Sequence, residues 1–240
     1  MSAFRFRPGL ASTALTILLF PFLVSLGVWQ LGRAADKEAL AAILRANHDA
    51  PTLRMTGNAP LREAMLRGRA ARAEGRYIAP TLLLDNRARR GRNGYEVLTP
   101  YQLPDGSRML VARGWVPADP DRTRAPEVET PSDPRDLQGQ IGKAPATGIR
   151  LGNPPPPERL ADDLVRVQSL APDTVEAALG YAVPPEIFYL DPALPNGYDR
   201  DWPAPASDIG KHHAYAVQWF AMAGVLLILY VRINLRRDPS

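Results

Sequence analysis

The chain contains no cysteine. Disulfides, thiolate metal sites and cysteine nucleophiles are therefore excluded. Histidine is almost as scarce, with only His48, His212 and His213. His48 stands at the end of a predicted helix, where a surface or capping role accounts for it. No Gly-x-Ser-x-Gly elbow, Walker loop or dinucleotide fingerprint occurs. Asp162 and Asp163 have no histidine at ligand spacing, and nothing resembles a calcium-binding loop. A membrane-tethered hydrolase would lack its nucleophile–base set, so the chain is expected not to be an enzyme.

Charge is absent from residues 10–31, and from 212–231 when the two histidines there are neutral. Each run meets the roughly 20 residues that a membrane-spanning helix needs. The expected plan is a tail at 1–9, a transmembrane helix at 10–31, a polar domain at 32–211, a second transmembrane helix at 212–231 and a tail at 232–240. The first run exceeds the apolar core of a signal peptide and ends in Trp29, Gln30 and Leu31 rather than in small residues, so it reads as an uncleaved anchor. Pro21 near its middle is tolerable in lipid.

The tails hold five arginines (Arg5, Arg7, Arg232, Arg236 and Arg237) and Asp238, which together equal the whole formal net charge of +4. The surplus is thus a topology signal and not a nucleic-acid footprint, and no nucleic-acid partner is expected. Basic flanks stay inside, so both termini are expected in the cytoplasm and the domain in the periplasm, across a bacterial cell inner membrane. The short N-terminus carries no Arg/Ser-rich transit segment, which favours a bacterium. A two-helix sensor would need a cytoplasmic output module, and residues 232–240 are too few.

Between the helices the pattern turns to short strands. Residues 36–47 extend the first helix outward, with Leu40, Ile43 and Leu44 at helical spacing, until Pro51. Strands are expected at 64–76, 82–87, 95–103, 108–116, 135–143, 164–170 and 185–190, and a short helix at 173–179. The Asp105-Gly106 step between two apolar runs predicts an antiparallel hairpin. Gly68 and Gly139, each centred in a predicted strand, suggest bulges or bends. Residues 117–134 read as a loop, 154–157 as a polyproline-like connector and 198–209 as the return to the membrane. Trp115 is expected inside, with Gly114 permitting close backbone approach. The fold class is an α+β membrane protein: two transmembrane helices flanking a mainly antiparallel β domain, barrel- or sandwich-like, outside the cytoplasm.

The membrane edge carries the richest chemistry. His212, Tyr215 and Trp219 fall at i, i+3 and i+7, on one helix face. Trp29 and Gln30 end the first span at the same level. Tyr and Trp here also suit an interfacial belt with no further role, and a histidine at a helix end can simply be hydrated. Yet intramembrane ionisable groups are costly, and neutral imidazole is a common haem-iron ligand. His213 sits about 100° around the helix from His212, so the two cannot address one iron. Gln30 and Gln218 each need a partner in lipid and are expected to bridge the helices. The run Arg87, Arg89, Arg90 and Arg92 suits a solvated turn or a receiver of carboxylates such as haem propionates.

Three blocks resemble the Surfeit-locus family of cytochrome oxidase assembly proteins. Gly27-Val28-Trp29-Gln30-Leu31-Gly32-Arg33 with Lys37 is similar to the family's G-x-W-Q-x-x-R-x-x-x-K. Gly94-Tyr95-Glu96-Val97-Leu98-Thr99-Pro100, then Val111-Ala112-Arg113-Gly114-Trp115-Val116-Pro117, resembles G-Y-x-V-x-T-P and V-x-R-G-W-V-P. His212 to Phe220 resembles H-x-x-Y-x-x-x-W-F, with His213 as an extra residue. The resemblance implies a chaperone that helps mature the catalytic subunit of a haem–copper oxidase, alongside other oxidase assembly factors. For bacterial members it further implies binding or delivery of haem a. On that reading His212 matches the family's membrane histidine and is the axial ligand of the haem iron, with Tyr215, Trp219, Trp29 and Gln30 around the cofactor. A scaffold that holds the oxidase subunit without touching haem stays open beside it.

Overall fold

A computed structural model describes residues 4–120, 124–145, 155–195, 197–202 and 209–237. In chain order the elements are β1 (Phe4–Phe6), α1 (Leu10–Asp49), β2 (Leu53–Met55), β3 (Ala70–Tyr77), β4 (Thr81–Leu84), β5 (Gly94–Gln102), β6 (Arg108–Pro117), β7 (Arg135–Lys143), β8 (Glu158–Ala161), β9 (Leu164–Val167), α2 (Pro172–Leu179), β10 (Glu186–Leu190), α3 (Ile209–Asn234) and β11 (Leu235–Arg237). The chain forms two compact units, Met1–Ala42 with Pro203–Ser240, and Ile43–Trp202.

The first unit is a helix pair. Both α1 and α3 are long and apolar enough to cross a membrane. α1 passes Pro21 without a break and runs on to Asp49, as the spacing of Leu40, Ile43 and Leu44 predicts. The two helices lie antiparallel, because Thr13 Oγ1 meets Tyr230 Oη at 3.0 Å while Gln30 meets His212. Small residues make the seam: Gly27 and Ala34 are buried on α1, Ala216 and Ala223 on α3. Lipid tails give no hydrophobic push between helices, so association rests on such close packing.

The second unit is a mixed nine-stranded sheet in the order β2-β3-β7-β10-β6-β5-β4-β9-β8. β3 also pairs with β5, at Arg76↔Gln102 and Tyr77↔Tyr101, so the run from β3 through β7, β10 and β6 to β5 returns on itself. Tyr77, Tyr101, Met109, Val111, Ile141 and Phe188 fill the space this run surrounds. The domain is less uniformly antiparallel than the sequence suggests: β2–β3, β4–β9 and β6–β10 are parallel pairings.

The hairpin of β5 and β6 is the centre of this sheet and forms where Asp105-Gly106 predicts it. Asp105 Oδ1 accepts from Ser107 N at 2.8 Å, and Gly106 takes φ +82°. Nine residue pairs join the strands, with one shift: Val97 faces Gly114 but Leu98 faces Ala112. Arg113 is the extra residue of that bulge. Its side chain, 2% exposed, lies over the rings of Tyr77 and Tyr198 and donates to Thr99 Oγ1 and to Glu129 O at 2.7 Å. Gly114 takes φ +122°, and a Cβ there would stand 2.8 Å from the Tyr198 carbonyl carbon. That space admits a chain segment: Tyr198 N donates to Arg113 O and Trp115 N to Asp199 O, both at 2.8 Å. Trp115 packs inward at 8% exposure, its indole donating to Arg87 O at 2.7 Å.

Two expectations need correction. The strand expected at 64–76 starts only at Ala70. Ala64–Leu66 is a 3-10 turn, because Asn47 Nδ2 takes the carbonyls of Met65 and Arg67, and Gly68 at φ +80° turns the chain. Gly139 is no bulge either. It keeps register with Ala71, and a Cβ there would stand 2.0 Å from Tyr189 O on β10. Residue 154 of the expected connector, 121–123 of the loop and 203–208 of the return segment lie outside the described residues.

Glu96 on β5 is 4% exposed, and its Oε1 has no partner among the described residues. Oε2 lies 3.8 Å from Arg87 Nε. Burial raises its pKa above the ordinary 4.5, against the opposing pull of Arg87 and Arg89. The folded state therefore holds this proton more tightly than the unfolded chain does. The linked stability is full below pH 4.5 and falls as pH rises through the folded value. Glu96→Gln should flatten that fall in thermal midpoint as pH rises above 4.5. Equal slopes for variant and wild type would assign the fall to other groups.

Candidate functional site at one end of the helix pair

Register between α1 and α3 is set where Phe220 lies against Gly27. A Cβ on Gly27 would stand 2.6 Å from Phe220 Cε1, so only glycine admits that ring. Three residues further along α1, Gln30 faces His212: its Oε1 lies 2.7 Å from His212 Nδ1. A carbonyl oxygen only accepts, so this bond puts the imidazole proton on Nδ1. In a neutral ring Nε2 then carries the lone pair, and it has no hydrogen-bond partner among the described residues. This is how metal-binding histidines are commonly held: one nitrogen anchored, the other available.

His213 turns elsewhere, as 100° of helical rotation requires. Its Nε2 lies 3.0 Å from Glu38 Oε1, about two turns beyond Gln30 on α1. Glu38 is a partner that sequence reasoning missed, since pairing across helices depends on their register.

The aromatic residues are less convergent. Trp29 is 56% and Tyr215 51% exposed, and Trp219 is half-buried. These three make no ring–ring pair with one another among the described residues. The structure thus joins Gln30 to His212 and leaves Trp29, Tyr215 and Trp219 as open aromatic surface on the two helices. Gln218 is exposed, and the bridge expected between it and Gln30 is made by His212 instead.

The chemistry on offer at this end of the pair is one imidazole anchored at Nδ1, with Trp29, Tyr215 and Trp219 on the same two helices. No group of three or more His, Asp or Glu that could hold a bare metal ion occurs among the described residues. In the other unit Arg87 and Arg89 of the arginine run are paired internally. Arg89 reaches Asp199 Oδ1 at 3.2 Å, and Arg90 lies 3.9 Å from Asp201. Arg90 and Gly91, both at positive φ, form the turn between Arg89 and Arg92. A solvated, self-paired turn therefore accounts for it. His48 is exposed at the end of α1 and borders a cavity of about 280 Å³ with Gly139, Asp191 and Trp202.

The SURF1 family model matches residues 17–224, from inside α1 to inside α3. The chain belongs to the SURF1 family. A SURF1-like protein of Rickettsia felis is 25% identical over 234 residues, covering 91% of this chain and 95% of the relative. One of Rickettsia bellii is 26% identical over 229 residues, covering 91% and 89%. An uncharacterized SURF1-like protein of Mycobacterium tuberculosis is 26% identical over 255 residues, covering 98% and 89%. The match to the SURF1 family spans Gly27, Gln30, His212 and the β5–β6 hairpin alike.

The Gly27–Phe220 contact generates a direct test. Gly27→Val should push the helices apart and destabilise the pair by about 1–3 kcal/mol, the usual range for overpacking. Chemical unfolding of the full chain in micelles would read it. Wild-type stability in the variant would show that the seam does not hold the pair.

Proposed function

We propose that this SURF1-family protein is an assembly factor for the catalytic subunit of a haem–copper cytochrome oxidase, and that it binds or delivers haem a at the outer membrane edge. The observation that carries the reading is the Gln30–His212 bond, which leaves Nε2 of a half-buried imidazole available. Haem a, when held, would supply an iron for a protein base to ligate. His212 would be that base, and Gln30 fixes its tautomer. Trp29, Tyr215 and Trp219 give flat apolar contact at the lipid–water boundary, where a macrocycle can be kept from water and still leave. A single protein ligand suits release better than two.

The same reading puts both termini in the cytoplasm of a bacterial cell and the barrel-like sheet domain in the periplasm, with α1 and α3 crossing the inner membrane. Partners are the oxidase catalytic subunit, other assembly factors and lipid. No catalytic residue is assigned. A scaffold that holds the oxidase subunit without haem is the second reading, and the exposure of Trp29 and Tyr215 favours it, because an interfacial belt also explains them.

His212→Ala should abolish the haem absorption spectrum of protein purified from cells that make haem a, while insertion and helix content persist. His213→Ala should keep the spectrum. A wild-type spectrum and stoichiometry in His212→Ala would remove the ligand assignment and leave the scaffold.

Topology is tested separately. Reporters active only in the periplasm should be silent when fused at Ser240 and active when inserted near Pro126. The reverse pattern would invert the orientation.

A further inference from the structure

Residues 4–6 and 235–237 of the two tails form a ribbon. β1 and β11 pair antiparallel, with Phe4 opposite Arg237, Arg5 opposite Arg236 and Phe6 opposite Leu235. Asn234, 3% exposed, ties this ribbon to both helices. Its Oδ1 accepts from Gly9 N at 2.7 Å, its Nδ2 donates to Tyr230 O at 2.8 Å, and its own carbonyl accepts from Arg7 N at 2.8 Å. Tyr230 in turn meets Thr13 and packs edge-on against Phe6. Residues 4–6 and 235–237 lie outside the stretch that the family model matches, so this device is not carried by the family resemblance.

Marking the cytoplasmic side needs only charge, and a disordered tail supplies that. An ordered ribbon adds a fixed pattern. Successive strand residues face opposite ways and directly opposite residues of an antiparallel pair share a face, so Phe6 stands with Leu235 on one face and Arg5 on the other, at the point where both helices leave their apolar stretch. Phe6 and Leu235 are exposed apolar residues there. Five arginines against one aspartate in the tails set the sign of the ligand. Guanidinium matches phosphate oxygens in a planar, two-pronged geometry, and anionic lipids crowd the cytoplasmic leaflet.

We infer that the β1–β11 ribbon is a binding site for the phosphodiester headgroup of an anionic phospholipid, with Phe6 and Leu235 lying in the acyl boundary and Arg5 and Arg7 on the phosphate. The site rests on the proposed topology only for which leaflet supplies the lipid. A failure of that topology appears in the reporter fusions, and lipid counting in symmetric vesicles is blind to it.

The full chain is reconstituted into vesicles of equal parts phosphatidylglycerol and phosphatidylcholine, extracted in mild detergent, and its retained lipid counted by mass spectrometry. Wild type should retain phosphatidylglycerol several-fold over phosphatidylcholine. Arg5→Gln with Arg7→Gln should bring the ratio near one. Asn234→Ala keeps every arginine but unties the ribbon, and should lower the ratio as well. Phe6→Pro, outside both helices, disrupts the same pairing should Asn234→Ala lose helix content. An unchanged ratio in the untied variants would make loose charge the cause and overturn the site, as would a wild-type ratio near one. Loss of the retained lipid on washing with glycerol phosphate would make a free phosphate the ligand and overturn the lipid assignment.

Discussion

The helix pair depends on one constraint: in lipid nothing apolar drives two helices together, so contact must come from shape and from polar groups that have nowhere else to go. Gly27 against Phe220 supplies the shape. Gln30 with His212, and Thr13 with Tyr230, supply the polar groups. The polar contacts flank the close contact along the antiparallel pair. The register that lets Phe220 approach is also the register that brings Gln30 to His212. Packing and chemistry are not separable here, because a shift of one helical residue would send His212 to a different neighbour.

The sheet domain solves a different problem by a bulge. Arg113 is an extra residue in β6, and the strand must bend to hold it. Burying a guanidinium is costly, and the bonds from Nη1 to Thr99 and Glu129 O with the two tyrosine rings offset part of that cost. Gly114 beside it leaves room for Tyr198 and Asp199, so one irregularity engages Glu129 and the 198–199 segment at once. The R-G-W block reads in this light as a structural unit: the arginine reaches loop and ring, the glycine admits backbone, and the tryptophan closes on Gly94 and Arg87.

Long or strongly marked elements were legible in the sequence, and short ones were not. The apolar runs, the Asp105-Gly106 hairpin, β7 and β10 announce themselves by length, turn chemistry or alternation. β1, β2 and β11 have three residues each, too few for a period to show. Parallel pairing hides as well, since it joins distant segments with no turn between them. The site was half legible. Spacing along one helix put His212, Tyr215 and Trp219 on a face, but the partner of Gln30 depended on register across two helices, and the expected Gln218 gave way to His212. Asn234 falls in the expected tail, and only its buried contacts reveal it as the tie between β1 and β11.

Adjacent histidines illustrate how little sequence distance says about role. His212 and His213 differ by one peptide unit and 1.5 Å along the axis in an ideal helix, yet about 100° of rotation. The first meets the Gln30 amide oxygen through Nδ1, which leaves Nε2 without a hydrogen-bond partner among the described residues. The second meets the Glu38 carboxylate through Nε2 itself, so that nitrogen is already engaged. A ring that must bind iron needs the first environment, and a ring that joins two polar helix extensions does well in the second. The choice of ligand under the proposed reading follows from these two partners on α1 rather than from the histidines themselves.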